Sequence, residues 1–152
     1  MRKSVRFVTL ACVVAAAVVP TAVRAQGREV IVPTGGRGSA TLSPAVRVGG
    51  LVFASGQLPA RGDSTIETQT TSTLNNIKNL FEASGTSMNN AVKCTVFLVN
   101  LADFQGMNAS YAKFWSPENP PPARSTVVVS ALVVANAKLE IECIAACRSR
   151  SR

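Results

Sequence analysis

The chain contains no histidine. That absence excludes a Ser-His-Asp triad and any metal centre built on imidazole. Aromatic residues are scarce at 5%, with one tryptophan and one tyrosine. No run of aromatics interleaved with basic residues offers a stacking platform for nucleic acid, so none is expected as a partner. Acidic residues number eight against sixteen basic ones, for a net charge of +8. A long membrane-spanning run is also missing. The longest apolar stretch, Phe7–Val19, is short for a span, and Pro20 interrupts its end.

What stands at the start of the chain accounts for much of the charge. Met1-Arg2-Lys3-Ser4-Val5-Arg6 is a basic segment, the apolar stretch follows, and Val23-Arg24-Ala25 fits a small-residue cleavage site. Residues 1–25 are read as a signal peptide cleaved after Ala25, so the mature protein starts at Gln26 and is periplasmic or secreted, with no stable membrane insertion. Cys12 is not read as a lipid-anchor site, because apolar sequence continues past it and Thr9 is a poor residue for such a motif. Losing Arg2, Lys3, Arg6 and Arg24 leaves twelve basic residues facing eight acidic ones, and the charge falls to +4. Arg148, Arg150 and Arg152 alternate with serine in a tail over 148–152, read as a basic, disordered end. Residues 26–147 then form one domain large enough to bury a core.

Three cysteines remain in that domain. Cys143 and Cys147, if their strand continues, lie about 13 Å apart and are too distant to bridge. Cys94 and Cys143 both fall at apolar phases of strands and could pair in an oxidising compartment. The reading preferred here is buried free thiols.

Periodicity supplies the elements. Arg28–Val32 reads as a short strand. Thr34-Gly35-Gly36-Arg37-Gly38 lacks a following helix and reads as a turn, not a phosphate cradle. Val46–Val48 and Leu51–Ala54 flank Gly49-Gly50, a hairpin signal. Ser64-Thr65-Ile66-Glu67 reads as a capping box opening a helix. Leu74, Ile77, Leu80, Phe81 and Ser84 form that helix's apolar stripe, and Gly85 ends it. Val92–Val99 is apolar on both faces and reads as a central strand. Asp103 opens a second helix with Phe104, Met107, Tyr111 and Phe114 on one side. Arg124–Val134 and Ala137–Ala145 are the last strands. The order β, β-hairpin, α, β, α, β, β predicts an α+β domain, a mixed sheet with two helices packed on one face.

Pro120-Pro121-Pro122-Ala123-Arg124-Ser125-Thr126-Val127 delivers an arginine to a strand mouth behind a rigid extended lead-in. A guanidinium is a planar fork suited to a carboxylate. Strand alternation puts Glu140 and Glu142 on one face and Leu139, Ile141 and Cys143 on the other. It likewise puts Arg124 and Thr126 on one face of their strand. These polar positions are assigned to the outward side of the one-sided sheet.

Five segments in order carry a resemblance. They are Leu51–Pro59 with its Ser55-Gly56-Gln57; Thr73-Leu74-Asn75-Asn76-Ile77; Val96-Phe97-Leu98 with Asp103-Phe104 and Met107–Tyr111; Pro122–Val127; and Lys138–Ala145. Over roughly residues 28–146 the chain resembles the RidA family, also called YjgF/YER057c/UK114. The resemblance implies a chorismate-mutase-like fold, a homotrimer with sheets facing inward, and ligand clefts between subunits. It implies hydrolysis of enamines and imines, such as 2-aminoacrylate or 2-iminobutanoate, to 2-oxoacids and ammonia without metal or organic cofactor. Residue by residue, Arg124 matches the arginine that binds the substrate carboxylate, and Glu140 matches the acid that orients the hydrolytic water. Ser55, Gly56, Asn108 and Thr126 match substrate-binding positions of the cleft. One departure stands out: Leu42 occupies the place of the family's tyrosine.

Three functions follow from these residues. The first is an exported deaminase of small 2-imino acids. The second is a catalytically weak trimer that binds small carboxylates or acts as a holdase-type scaffold. The third, a ribonuclease role found in parts of the family, fits poorly with a mature charge of +4 and no histidine. Arg124 with Glu140 favours the first, and Leu42 favours the second.

Overall fold

The computed structural model describes residues 27–36 and 38–147. The leader at 1–25, Arg37 and the tail at 148–152 lie outside the described residues. Six strands make one sheet: β1 (Glu29–Ile31), β2 (Ala45–Val48), β3 (Leu51–Gln57), β4 (Ala91–Leu98), β5 (Ala123–Val128) and β6 (Leu139–Ala146). Their order is β1-β2-β3-β6-β4-β5. All neighbours are antiparallel except β4 and β5, which run parallel. Two helices, α1 (Ile66–Ala83) and α2 (Phe104–Tyr111), complete the mixed α+β architecture. No helix among the described residues is long and apolar enough to cross a membrane.

The β2–β3 turn has Gly49 at φ 58° and Gly50 at φ 77°. Consecutive positive φ values are what a two-residue hairpin matched to strand twist requires. The stripe read for α1 is buried in full: Leu74, Ile77, Leu80, Phe81 and Ser84. They meet Val52, Ala54, Val96, Leu139 and Ile141 on one side of the sheet, which is where the core sits. Burial of this apolar layer is the main stabilising term of the domain.

Three sequence expectations are corrected and one, for β4, holds. The α1 cap is Thr65, not Ser64: its side chain accepts from the Thr68 amide at 3.2 Å. Both residues are competent caps, and Thr68 at the third helical position completes the Thr65 arrangement. The strand expected over Arg124–Val134 ends at Val128, because its parallel partner β4 ends at Leu98 and only Val129 finds a further acceptor there. β4 is internal to the sheet as read, between β6 and β5, with Cys94, Val96 and Leu98 buried and Lys93, Thr95 and Phe97 half-buried on the side without helices. Finally, Cys94 and Cys143 are a disulfide rather than free thiols. They stand opposite one another on antiparallel β4 and β6 with Cα atoms 4.1 Å apart, so the register alone brings them together. Cys147 is free.

Candidate active site

Arg124 is held from the helix layer. Its Nη2 donates to Asn108 Oδ1 at 2.7 Å, and its Nη1 faces Met107 Sδ at 3.9 Å. The guanidinium carbon lies 4.6 Å from the centre of the Tyr111 ring, a cation–π arrangement. Asn108 and Tyr111 are three residues apart on α2 and so present one face to the arginine. Burial pushes the Tyr111 phenol up to about 12, against an opposing pull from Arg124, so the ring stays neutral beneath the cation. No carboxylate among the described residues pairs with Arg124. Its free edge borders an open cavity of about 680 Å³ lined by Tyr111, Trp115 and Pro120–Pro122.

The height of α2 over the sheet depends on Gly106. A Cβ there would lie 2.6 Å from Ile66 Cγ2 and 2.7 Å from Glu67 Oε1. Glycine therefore lets α2 settle against the first turn of α1 and carry Asn108 to the arginine.

Glu140 belongs to a second cluster. β3 bulges between Ala54 and Gln57, and the Gln57 amide Nε2 donates to the Ser55 carbonyl at 2.8 Å. A side chain at Gly56 would overlap the Glu140 carboxyl group, so the bulge has room for that carboxylate only because residue 56 is glycine. Ser55 Oγ donates to the Ser43 carbonyl at 2.7 Å, tying the bulge to the loop that carries exposed Leu42. The hydroxyl proton of Ser55 is thus engaged within the chain, leaving its oxygen as an acceptor. Desolvation first, and the charge of Glu142 second, raise the Glu140 carboxyl above the ordinary carboxylate range.

The register places these clusters on opposite sides of the sheet. Arg124 pairs with Cys94 and Thr126 with Val96, both buried on the helix side. Glu140 pairs with Phe97 and Glu142 with Thr95, on the side without helices. The expectation that Arg124 and Thr126 share the glutamates' outward face is therefore overturned. The physical reason is the parallel register of β5, which brings Arg124 into phase with the core-facing cysteine. Thr126 Oγ1 is buried there without a hydrogen-bond partner. The structure thus joins Arg124 to Asn108, with Thr126 on the same side, and Glu140 to Gly56, with Ser55 next in the bulge. It does not bring the two groups together within one chain. Sequence reasoning missed Tyr111 and Trp115 as neighbours of the arginine. The signal was present in the three-residue spacing of Asn108 and Tyr111, but Tyr111 is also at a core position of α2.

Comparison with known proteins bears on this arrangement. A family model described as endoribonuclease L-PSP matches residues 37–147. The chain is 44% identical over 109 residues to the chloroplastic Reactive Intermediate Deaminase A of Arabidopsis thaliana, covering 68% of this chain and 57% of that one. It is 37% identical over 113 residues to the protein HMF1 of Saccharomyces cerevisiae, covering 71% of this chain and 85% of that one. The crystal structure of the YjgF gene product of E. coli superposes with a TM-score of 0.71 at 33% identity, covering 79% of this chain and 99% of that chain.

Proposed function

The chain belongs to the endoribonuclease L-PSP family, also named after YjgF and RidA, and on that premise we propose that it hydrolyses small 2-imino and enamino acids to 2-oxoacids and ammonia. 2-Iminobutanoate and 2-iminopropanoate, the tautomer of 2-aminoacrylate, are the substrates meant. The observation that carries this reading is Arg124: a half-buried guanidinium, steadied by Asn108 and Tyr111, facing an open cavity and paired with no carboxylate among the described residues. Such a group is matched by a ligand carboxylate bound through two hydrogen bonds.

The chemistry asks little more. An imine carbon is already electrophilic. Water adds through its oxygen to that carbon, the nitrogen takes up a proton, and the carbon–nitrogen bond then breaks to release ammonia and leave a carbonyl. A carboxyl group raised above the ordinary carboxylate range keeps more of its protonated form at a given pH, which suits it to hold the water and pass protons. Glu140 fills that role in the proposal. Because the sheet separates Glu140 from Arg124, the complete cleft takes Arg124, Asn108 and Thr126 from one subunit and Glu140, Gly56 and Ser55 from another. A homotrimer in which the β5 edge of one subunit, where Arg124 stands, meets the helix-free face of the next supplies this contact and covers Phe53, which one chain leaves exposed.

We further propose that the protein acts outside the cytoplasm. The leader reading motivates this, and the Cys94–Cys143 disulfide fits an oxidising compartment. The second reading, a carboxylate-binding trimer with weak catalysis, draws on Leu42: an exposed aliphatic side chain stands beside the Ser55 bulge where a phenol would offer a hydrogen bond.

The test is direct. Protein beginning at Gln26 is added to 2-iminobutanoate generated in situ from L-2-aminobutyrate by an amino-acid oxidase. The expected result is faster release of ammonia and 2-oxobutanoate than in buffer. A rate equal to that of buffer hands the site to the carboxylate-binding reading.

A further inference from the structure

Glu140 stands in a tight place. Its carboxyl group meets Gly56 so closely that a methyl there would not fit. Gly56 lies in the β3 bulge, and Glu140 is the second residue of β6. Just beyond this contact both strands stop: β3 ends at Gln57, and β6 starts at Leu139. The flanking segments 58–63 and 136–138 therefore have no ladder to fix them, and their backbone groups need other partners where water is excluded.

α1 supplies those partners. Gln69, Ser72 and Asn76 are three and then four residues apart, so they line one flank of the helix. Asn76 Nδ2 donates to the Leu58 carbonyl at 3.0 Å, and Ser72 Oγ accepts from the Ala60 amide at 3.1 Å. Gln69 Nε2 donates to the Asp63 carbonyl at 2.9 Å. The loop thus runs antiparallel along the helix and is pinned to it at each of these residues. Gln69 also reaches the other segment. Its Nε2 donates to the Asn136 carbonyl at 3.0 Å, and its Oε1 accepts from the Lys138 amide at 2.7 Å. Both amide hydrogens and the carbonyl oxygen are then in use, on a side chain only 2% exposed. Asn136 presents its carbonyl from a left-handed conformation, φ 66°, which asparagine tolerates. One helix flank therefore holds Leu58, two residues past Gly56, and Lys138, two residues before Glu140.

We infer that Gln69 and Asn76 are positioning residues for the proposed hydrolysis: they fix the gap between the Gly56 bulge and the Glu140 carboxyl group, and with it the place of the attacking water. This rests on the deaminase reading above and adds to it two residues that act through Glu140. Neither bears on the substrate carboxylate, which in that reading belongs to the Arg124 half-site on the other side of the sheet. A misplacement of about 1 Å at a reacting group costs up to about a hundredfold in rate. Loss of either residue should therefore slow the chemical step and leave binding in place.

The test uses protein beginning at Gln26 and compares kcat and KM for 2-iminobutanoate with calorimetric affinity for 2-oxobutanoate. Gln69→Glu keeps the size and the acceptor for Lys138 but sets a carboxylate oxygen against two carbonyls. Asn76→Ala removes the pin at Leu58. Thr70→Ala is the control for damage to the helix: Thr70 is buried on α1, and its hydroxyl donates to the Ile66 carbonyl of the same helix at 2.6 Å. Gln69→Glu and Asn76→Ala are each expected to lower kcat by roughly tenfold or more, with KM and product affinity within a few-fold of wild type. Thr70→Ala should lower the melting temperature and keep kcat. If Gln69→Glu does not fold, Asn76→Ala, at a half-buried position, decides alone. Three results overturn the inference and leave the deaminase reading standing. They are wild-type kcat in either variant that folds, a loss of product affinity as large as the loss of kcat, and an equal fall of kcat in Thr70→Ala. Absence of turnover by the wild-type protein defeats the deaminase reading, and the inference with it.

Discussion

The proposed roles of Arg124 and Glu140 differ in when they act, and single substitutions should separate them. In the proposed reaction Arg124 grips a carboxylate that is present in substrate, transition state and product alike. Arg124→Ala should therefore weaken binding of 2-oxobutanoate and lower kcat/KM together. One charge-assisted pair is worth about 1.5–3 kcal/mol, which is roughly tenfold to more than a hundredfold. Calorimetric titration checks this, and affinity equal to wild type removes the anchor role. Glu140→Gln keeps the size and loses the proton carrier, so turnover should fall while product affinity stays within a few-fold. The same substitution has a consequence for stability. Glu140 is shifted upward by desolvation and by Glu142, so over the window above the ordinary glutamate pKa the folded chain binds more protons than the unfolded one. Stability then falls as pH rises through that window, and the loss is complete above the raised pKa. Glu140→Gln abolishes this term. Melting curves at pH 4 and pH 8 should show a smaller decline for the variant than for wild type, with the variant the more stable of the two at pH 8. An unchanged pH dependence would mean that Glu140 is solvated in the assembled protein.

At the scale of elements, much of the fold was legible because hydrophobic period is a local property. The α1 stripe from Leu74 to Ser84 and the Gly49-Gly50 hairpin are both written in consecutive residues. What escaped depends on partners distant in sequence. β5 stops at Val128 because β4 has run out, not because Val129–Val134 lacks strand character. The side on which Arg124 projects is fixed by the parallel register with Cys94, and the residues of β5 give no local sign of it. The disulfide is the same kind of fact: pairing of Cys94 with Cys143 needs the antiparallel register of β4 and β6, across a separation of 49 residues. That bond clamps the strand on which β5, and so Arg124, depends. Replacing both cysteines with alanine should lower stability by about 2–4 kcal/mol, read from urea unfolding. Denatured, unreduced protein beginning at Gln26 should titrate one thiol, that of Cys147, and three after reduction. Three thiols before reduction would return the pair to the free state and remove one support for an extracytoplasmic location.

At the scale of the whole molecule, the decisive fact is that one sheet separates the anchor from the acid. On the proposed reading a single chain holds two half-sites, and a closed ring of copies would complete them where the Arg124 edge of one meets a neighbour's Glu140 face. Light scattering of the mature protein should report a trimer, but mass alone does not show that the cleft is shared. Two inactive variants do. In a trimer that mixes Arg124→Ala with Glu140→Gln subunits, one of the three junctions joins an intact arginine to an intact glutamate, whichever variant is in the majority. Random assembly from equal amounts makes three-quarters of the trimers mixed, so co-expression should restore about a quarter of wild-type sites. Each variant expressed alone should have none. The readout is ammonia release from 2-iminobutanoate by the co-purified mixture, with tags on the two variants to verify mixing. If Arg124 and Glu140 of the same chain served one site, every site in the mixture would carry a lesion and activity would stay at background. Recovery near a quarter is the outcome that the opposite-face geometry requires.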